Sequence, residues 1–116
     1  MCNNENKQNE ELLRALGMVG LAVRAGRVVF GTPMVCEHLK ASKSKEKLLV
    51  LEACDTSENT HKRISDRCSY YSVRHIRLAV GTADLAHALG KSGDLAVVAI
   101  TDEKMADNVV RLLSDK

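Results

Sequence analysis

Tryptophan is absent, and Phe30, Tyr70 and Tyr71 are the only aromatic side chains in 116 residues. So few rings do not build the stacked-base platforms of single-strand binders. No apolar run reaches the 18 or so residues that cross a bilayer, and the Asn-rich N-terminus lacks the apolar core of a signal peptide. The chain is therefore expected in the cytoplasm, with no membrane partner. Cys2, Cys36, Cys54 and Cys68 include no Cys-x-x-Cys pair, so neither a disulfide framework nor a metal site is expected. Cys36, Cys54 and Cys68 read as small buried hydrophobes. A phosphate-loop Gly-Lys-Ser/Thr is missing, and Gly26 through Gly31 does not satisfy the dinucleotide fingerprint. His38, His61, His75 and His87 are scattered without a nucleophile or a ligand spacing, and read as surface histidines. No catalytic residue, cofactor or metal is expected, and the protein reads as a non-enzyme. A net charge of +2 is too small to advertise nucleic-acid binding by itself.

What is present is an alternation of helix and strand patterns. Residues 1–9 read as a polar, disordered tail and 10–116 as one domain. Leu12, Leu13, Leu16, Val19, Gly20 and Val23 recur at helical spacing up to about Arg24. Gly17 and Gly20 each cost such a helix about 1 kcal/mol relative to Ala, which suggests close packing against a sheet. Val28–Phe30 has strand composition, and Gly31 breaks it. Thr32 can cap a helix that Pro33 opens, with Val35, Cys36 and Leu39 on its apolar stripe. The lysine-rich stretch 41–47 reads as a solvated loop, and Leu48–Leu51 as a strand buried on both faces. Asp55-Thr56-Ser57-Glu58 has the form of a capping box, followed by a helix with Thr60, Ile64, Cys68 and Tyr71 on one face. A strand over His75–Val80, a short helix after Gly81-Thr82, a strand over Leu95–Ile100 and a final helix capped by Asp102 complete the order. About four strands alternating with helices imply α/β/α layering.

A strand that passes through glycine into a helix start gathers unpaired N–H groups and the positive end of a helix dipole, a corner able to hold a phosphate. Gly31-Thr32 and Gly81-Thr82 are two such corners. If their strands run parallel, both open on one edge of the sheet, where open α/β folds put their ligands.

The run Leu16-Gly17-Met18-Val19-Gly20-Leu21-Ala22-Val23-Arg24-Ala25-Gly26-Arg27, followed by Gly31, resembles the kink-turn RNA-binding ribosomal-protein superfamily called seven-Ae/thirty-e. Asp55–Ile64, Cys68–Tyr71, Thr82–Lys91 and the ending from Val97 to Asp102 are most similar to its small bacterial YlxQ-like branch. The resemblance spans about Leu12 to Leu113 and implies a three-layer α/β/α sandwich with a mixed four-stranded sheet. It also implies a non-enzymatic RNA-binding protein, a ribonucleoprotein or ribosome component, with structured or ribosomal RNA as partner. Family members that bind kink-turns carry Gly-x-Asn-Glu-x-x-Lys at the start of the second helix, where the side chains reach tandem G·A pairs. Here the glycine is Gly31, but Pro33 holds the Asn place, Met34 the Glu place and Glu37 the Lys place. Pro33 and Met34 cannot make the base contacts, and Glu37 reverses the charge. What the resemblance leaves for RNA is the Gly31–Thr32 corner, the Ala79-Val80-Gly81-Thr82 loop, and Arg27, Lys40, Lys62 and Arg63. The alternative is a protein-interaction module on the same scaffold.

Overall fold

The computed structural model describes residues 6–114, with side chains over 10–113. Helix α1 (Asn6–Arg24) leads into β1 (Val28–Phe30) and α2 (Thr32–Ala41). A 3-10 turn at Lys45–Lys47 then precedes β2 (Leu49–Glu52), α3 (Glu58–Tyr71) and β3 (Arg74–Arg77). The order ends with α4 (Thr82–Ala88), β4 (Val97–Ile100) and α5 (Glu103–Ser114). Helix α1 starts before Glu10, where the periodicity put it, and takes in residues 6–9 of the expected tail. The rest of that tail, 1–5, lies outside the described residues.

The sheet is mixed, in the order β1-β4-β2-β3. Strand β4 runs antiparallel to both β1 and β2, while β2 and β3 are parallel. Strands β1, β2 and β3 therefore point the same way, and their C-terminal ends share one edge. Side chains alternate across the sheet with period two. Leu49, Leu51, Val98 and Ile100 face the cluster under α1, α4 and α5. Val50, Val97 and Ala99 face the cluster under α2 and α3. Three layers follow, as the alternation of elements implies.

Local chemistry accounts for most boundaries. Ser57 caps α3, its hydroxyl accepting from the Thr60 amide at 3.2 Å. Ser72 ends that helix in the left-handed region at φ 57°. Asp102 Oδ1 accepts from the Met105 amide at 3.0 Å and starts α5. Strand β3 stops at Arg77, short of the expected Val80, because its partner β2 ends at Glu52: the Leu78 amide makes the last rung, donating to the Glu52 carbonyl at 2.7 Å. Leu78, Ala79 and Val80 all pack on the α1 side, so the two-residue alternation ends with the strand.

Three expectations are corrected. A Cβ on Gly17 or Gly20 would meet nothing within 4 Å. Both line an open groove between α1 and α4 rather than a tight contact with the sheet. Thr32 makes no side-chain cap: Gly31, at φ 88°, is the residue preceding α2. Cys36 and Cys68 are buried free thiols, and burial foremost, with Cys36 and Glu52 nearby, pushes the Cys68 thiol up to about 12. Cys54, by contrast, is half-buried, so it is not a simple core hydrophobe.

Candidate nucleic-acid interface

The shared edge is built by hydrogen bonds that sew three loops to the start of β4. Gly31 N–H donates to the Val97 carbonyl at 2.9 Å, carrying the β1–β4 pairing one residue further. Ala53 N–H donates to Ala96 O at 2.8 Å, and Cys54 N–H to Val80 O at 2.8 Å. Leu95 N–H donates to Thr82 O at 3.0 Å. The Gly31–Met34 corner and the Ala79–Thr82 loop are thereby held at the same end of the sheet. Lys91, in the connection from α4 to β4, places its ammonium 4.2 Å from the centre of the Phe30 ring. This cation joins the edge from a segment the sequence did not single out.

The two Gly-Thr corners differ in kind. Helix α2 has no side-chain cap and carries Pro33 in its first turn, so the Thr32 and Met34 amides at its start have no intrahelical acceptor. At the other corner the Thr82 amide donates to Asp55 Oδ1 at 2.8 Å. The capping-box reading of Asp55 is thus corrected. Its carboxylate reaches across to the neighbouring loop, while Ser57 alone caps α3. With that acceptor and negative charge in place, the Gly81–Thr82 corner does not offer its amide to a phosphate. Gly81 is there for room: a Cβ would lie 3.0 Å from Asp55 Oδ2. Gly31 is there for its positive φ.

The basic residues divide. Arg27 precedes β1, and its carbonyl accepts from Thr101 at the end of β4. It stands at the opposite end of the sheet from Gly31, which removes it from the expected cluster. Arg63 lines a groove between α2 and α3 with Pro33, Glu37 and Lys40. Lys40, near the end of α2, is reached along that groove rather than at the edge itself. Lys62 is exposed on α3 but outside the groove. Pro33 and Glu37 are exposed, and Met34 is 60% exposed.

Beneath the edge lies a cluster that sequence reasoning missed. Glu52 ends β2 fully buried. On the pleat it shares a face with Val50; on β3, Arg77 stands opposite Glu52 and His75 opposite Val50. His61 Nδ1 lies 2.9 Å from both carboxylate oxygens, and His75 Nε2 lies 2.8 Å from Oε1. Thr56 Oγ1 donates to Oε2, and Arg77 Nε stands 3.7 Å from it. An ionised carboxylate only accepts, so His61 presents Nδ1–H and His75 presents Nε2–H. Burial pushes the Glu52 carboxyl up, but donors from Thr56, His61 and His75 and the charge of His61 outweigh it, and the group sits below its ordinary 4.5. His61 and His75 are therefore structural partners of a buried anion, not independent surface histidines. The signal in the sequence was a lone carboxylate at the end of an apolar strand. No group of three or more His, Cys, Asp or Glu among the described residues could hold a metal. No described helix is long and apolar enough to cross a membrane.

Comparison with known proteins agrees with this architecture. Residues 14–110 match the model described as the Ribosomal protein L7Ae/L30e/S12e/Gadd45 family. A Bacillus subtilis (strain 168) protein called RNA-binding protein YlxQ is 36% identical over 96 residues, covering 83% of this chain and 91% of its own. A protein of the same name from Enterococcus faecium is 34% identical over 89 residues, covering 77% and 78%. Among solved structures, a Bacillus halodurans protein of unknown function superposes with TM-score 0.76 at 23% identity, over 87% of this chain and 97% of that one. A Giardia lamblia 15.5kD RNA binding protein superposes with TM-score 0.69 at 18% identity, over 97% and 88%. These two share the fold.

Proposed function

The chain belongs to the ribosomal protein L7Ae/L30e/S12e/Gadd45 family, and from that premise we propose that it is a non-enzymatic RNA-binding protein. Its RNA lies on the edge formed by Gly31–Met34 and Ala79–Thr82. The observation that carries the reading is the uncapped start of α2, whose free amides and helix dipole lie at the end where three strands finish, with Lys91 over the Phe30 ring at the end of β1. Two relatives above 30% identity bear the name RNA-binding protein.

Recognition rests on phosphates and RNA shape rather than on kink-turn bases. Pro33 brings no side-chain amide, Met34 accepts no strong hydrogen bond, and Glu37 presents a negative charge where the family motif carries lysine. If base contacts in RNA are worth the 1–3 kcal/mol typical of duplex DNA, losing them removes most of the discrimination. Titration of the protein against a kink-turn RNA and the same RNA without its G·A pairs tests this. The expected preference is less than about tenfold, or 1.4 kcal/mol; a larger one means that other loops read the motif. The RNA is proposed to be ribosomal, in the cytoplasm, and co-sedimentation with ribosomal subunits at low salt is the expected result.

A second reading, a protein-interaction module, is favoured by one feature. Leu13 and Leu21 are 68% and 55% exposed on α1, on either side of the shallow groove at Gly17 and Gly20. Binding that is insensitive to salt and to RNA would favour it.

A further inference from the structure

We propose that the groove between α2 and α3 carries a single-stranded RNA segment running on from the Gly31 edge, with phosphates on Arg63, Arg67 and Lys40 and a base stacked on Tyr70. This rests on the RNA-binding reading of the edge and extends it to a flanking strand. The groove has two adjoining parts. The first, about 300 Å³, begins at Pro33 in the first turn of α2, so it is continuous with the edge, and it includes Arg63, Arg67 and Lys40. The second, about 490 Å³, shares Lys40 and Arg67 and ends at Tyr70 and Tyr71.

Arg63 and Arg67 are four residues apart on α3, so they stand on one side of the helix about 6 Å apart along its axis. Their guanidinium groups can take phosphates bidentately or stack on bases. Tyr70 is 80% exposed, yet its ring packs at a right angle against Tyr71, with centroids 4.8 Å apart at 88°. Lys45 lies 5.0 Å above the Tyr71 ring and adds a cation at that end. An open, pre-oriented aromatic face next to a row of cations is the arrangement used for sequence-tolerant stacking of single strands. The paucity of aromatics excludes a broad platform but not one ring in the right place. A protein ligand fits less well, because Glu37, Lys40, Arg63, Asp66 and Arg67 line the walls, and charged residues are depleted at interface cores. Glu37 and Asp66 also line the groove and offset part of its positive charge, so the segment adds to the edge's affinity rather than binding strongly alone.

The test uses the full chain and a kink-turn stem-loop RNA, with and without a short oligouridine tail. Because tryptophan is absent, tyrosine emission reports on the groove directly. In the wild type the tail should tighten binding about tenfold and quench that emission. Tyr70→Ala and Arg67→Gln should remove the gain from the tail while leaving the tail-less RNA bound as before. Tyr70→Phe, which keeps the ring face, should retain the gain. If the tail-less RNA binds but the tail adds nothing, or its gain survives Tyr70→Ala, the groove is not an RNA path and the proposal falls. If neither RNA binds, the reading of the edge falls first and this one with it.

Discussion

Glu52 shows how much one side chain can organise. Its carboxylate gathers donors from the β2–α3 loop, from α3 and from β3, and the same loop carries Asp55 to the Thr82 amide. Because the fold lowers the pKa of Glu52, the ionised form stabilises the native state. That contribution is complete above the ordinary 4.5 and is lost as pH falls through the lower folded value. We expect Glu52→Gln to flatten the acid limb of the stability–pH curve, measured by ellipticity. It should also cost about 1–3 kcal/mol at neutral pH, because the Gln amide sets N–H against N–H from the histidines. The two Gly-Thr corners make a matched pair of substitutions. Gly31→Ala should cost about 1–3 kcal/mol through its backbone conformation alone (φ 88°, ψ 150°), since a Cβ there meets nothing. Gly81→Ala has an ordinary φ but should push Asp55 off the Thr82 amide, losing about 1 kcal/mol. Denaturant midpoints separate the two.

At the scale of elements, periodicity located the helices and strands because burial imposes it. Strand β2 is buried at all four positions, the outcome its apolar run requires. The disagreements fall where a partner distant in sequence decides the boundary. Strand β3 ends where its partner β2 ends, at the Glu52–Arg77 pair, and Asp55 caps a neighbouring loop instead of its own helix. Helix α1 supplies the prediction here. Gly17 and Gly20 sit inside it with open space where a Cβ would point, so the fold does not need them small. Gly17→Ala and Gly20→Ala should each raise stability by about 0.5–1 kcal/mol, read as an increase in Tm. If either variant instead loses stability, the packing role first read from the sequence is restored.

At the scale of the whole molecule, affinity for RNA should fall steeply with salt, because phosphate neutralisation releases counterions. Arg63→Ala, in the groove, should lower the magnitude of the salt slope by about 1. Arg27→Ala should leave it unchanged, because Arg27 sits at the far end of β1. Glu37→Lys should strengthen binding to every RNA tested. Equal effects at 27 and 63 would mean that charge acts diffusely and that the groove is not a phosphate site. The distinction between these two arginines was invisible in the sequence, where they are simply two cations. The residue order alone determined the alternation of elements, the apolar faces and the helix start at Asp102, since each depends on neighbours within a turn or a pleat. It also showed the departures at Pro33, Met34 and Glu37, which are matters of residue type. Only the tertiary structure decided that β1, β2 and β3 end together, that Glu52 meets His61 and His75, and that Asp55 rather than a ligand takes the Thr82 amide. Those outcomes follow from strand order and direction in the sheet, which bring together residues nine to twenty-seven positions apart, and no local pattern encodes which distant group will satisfy a buried charge or a free amide.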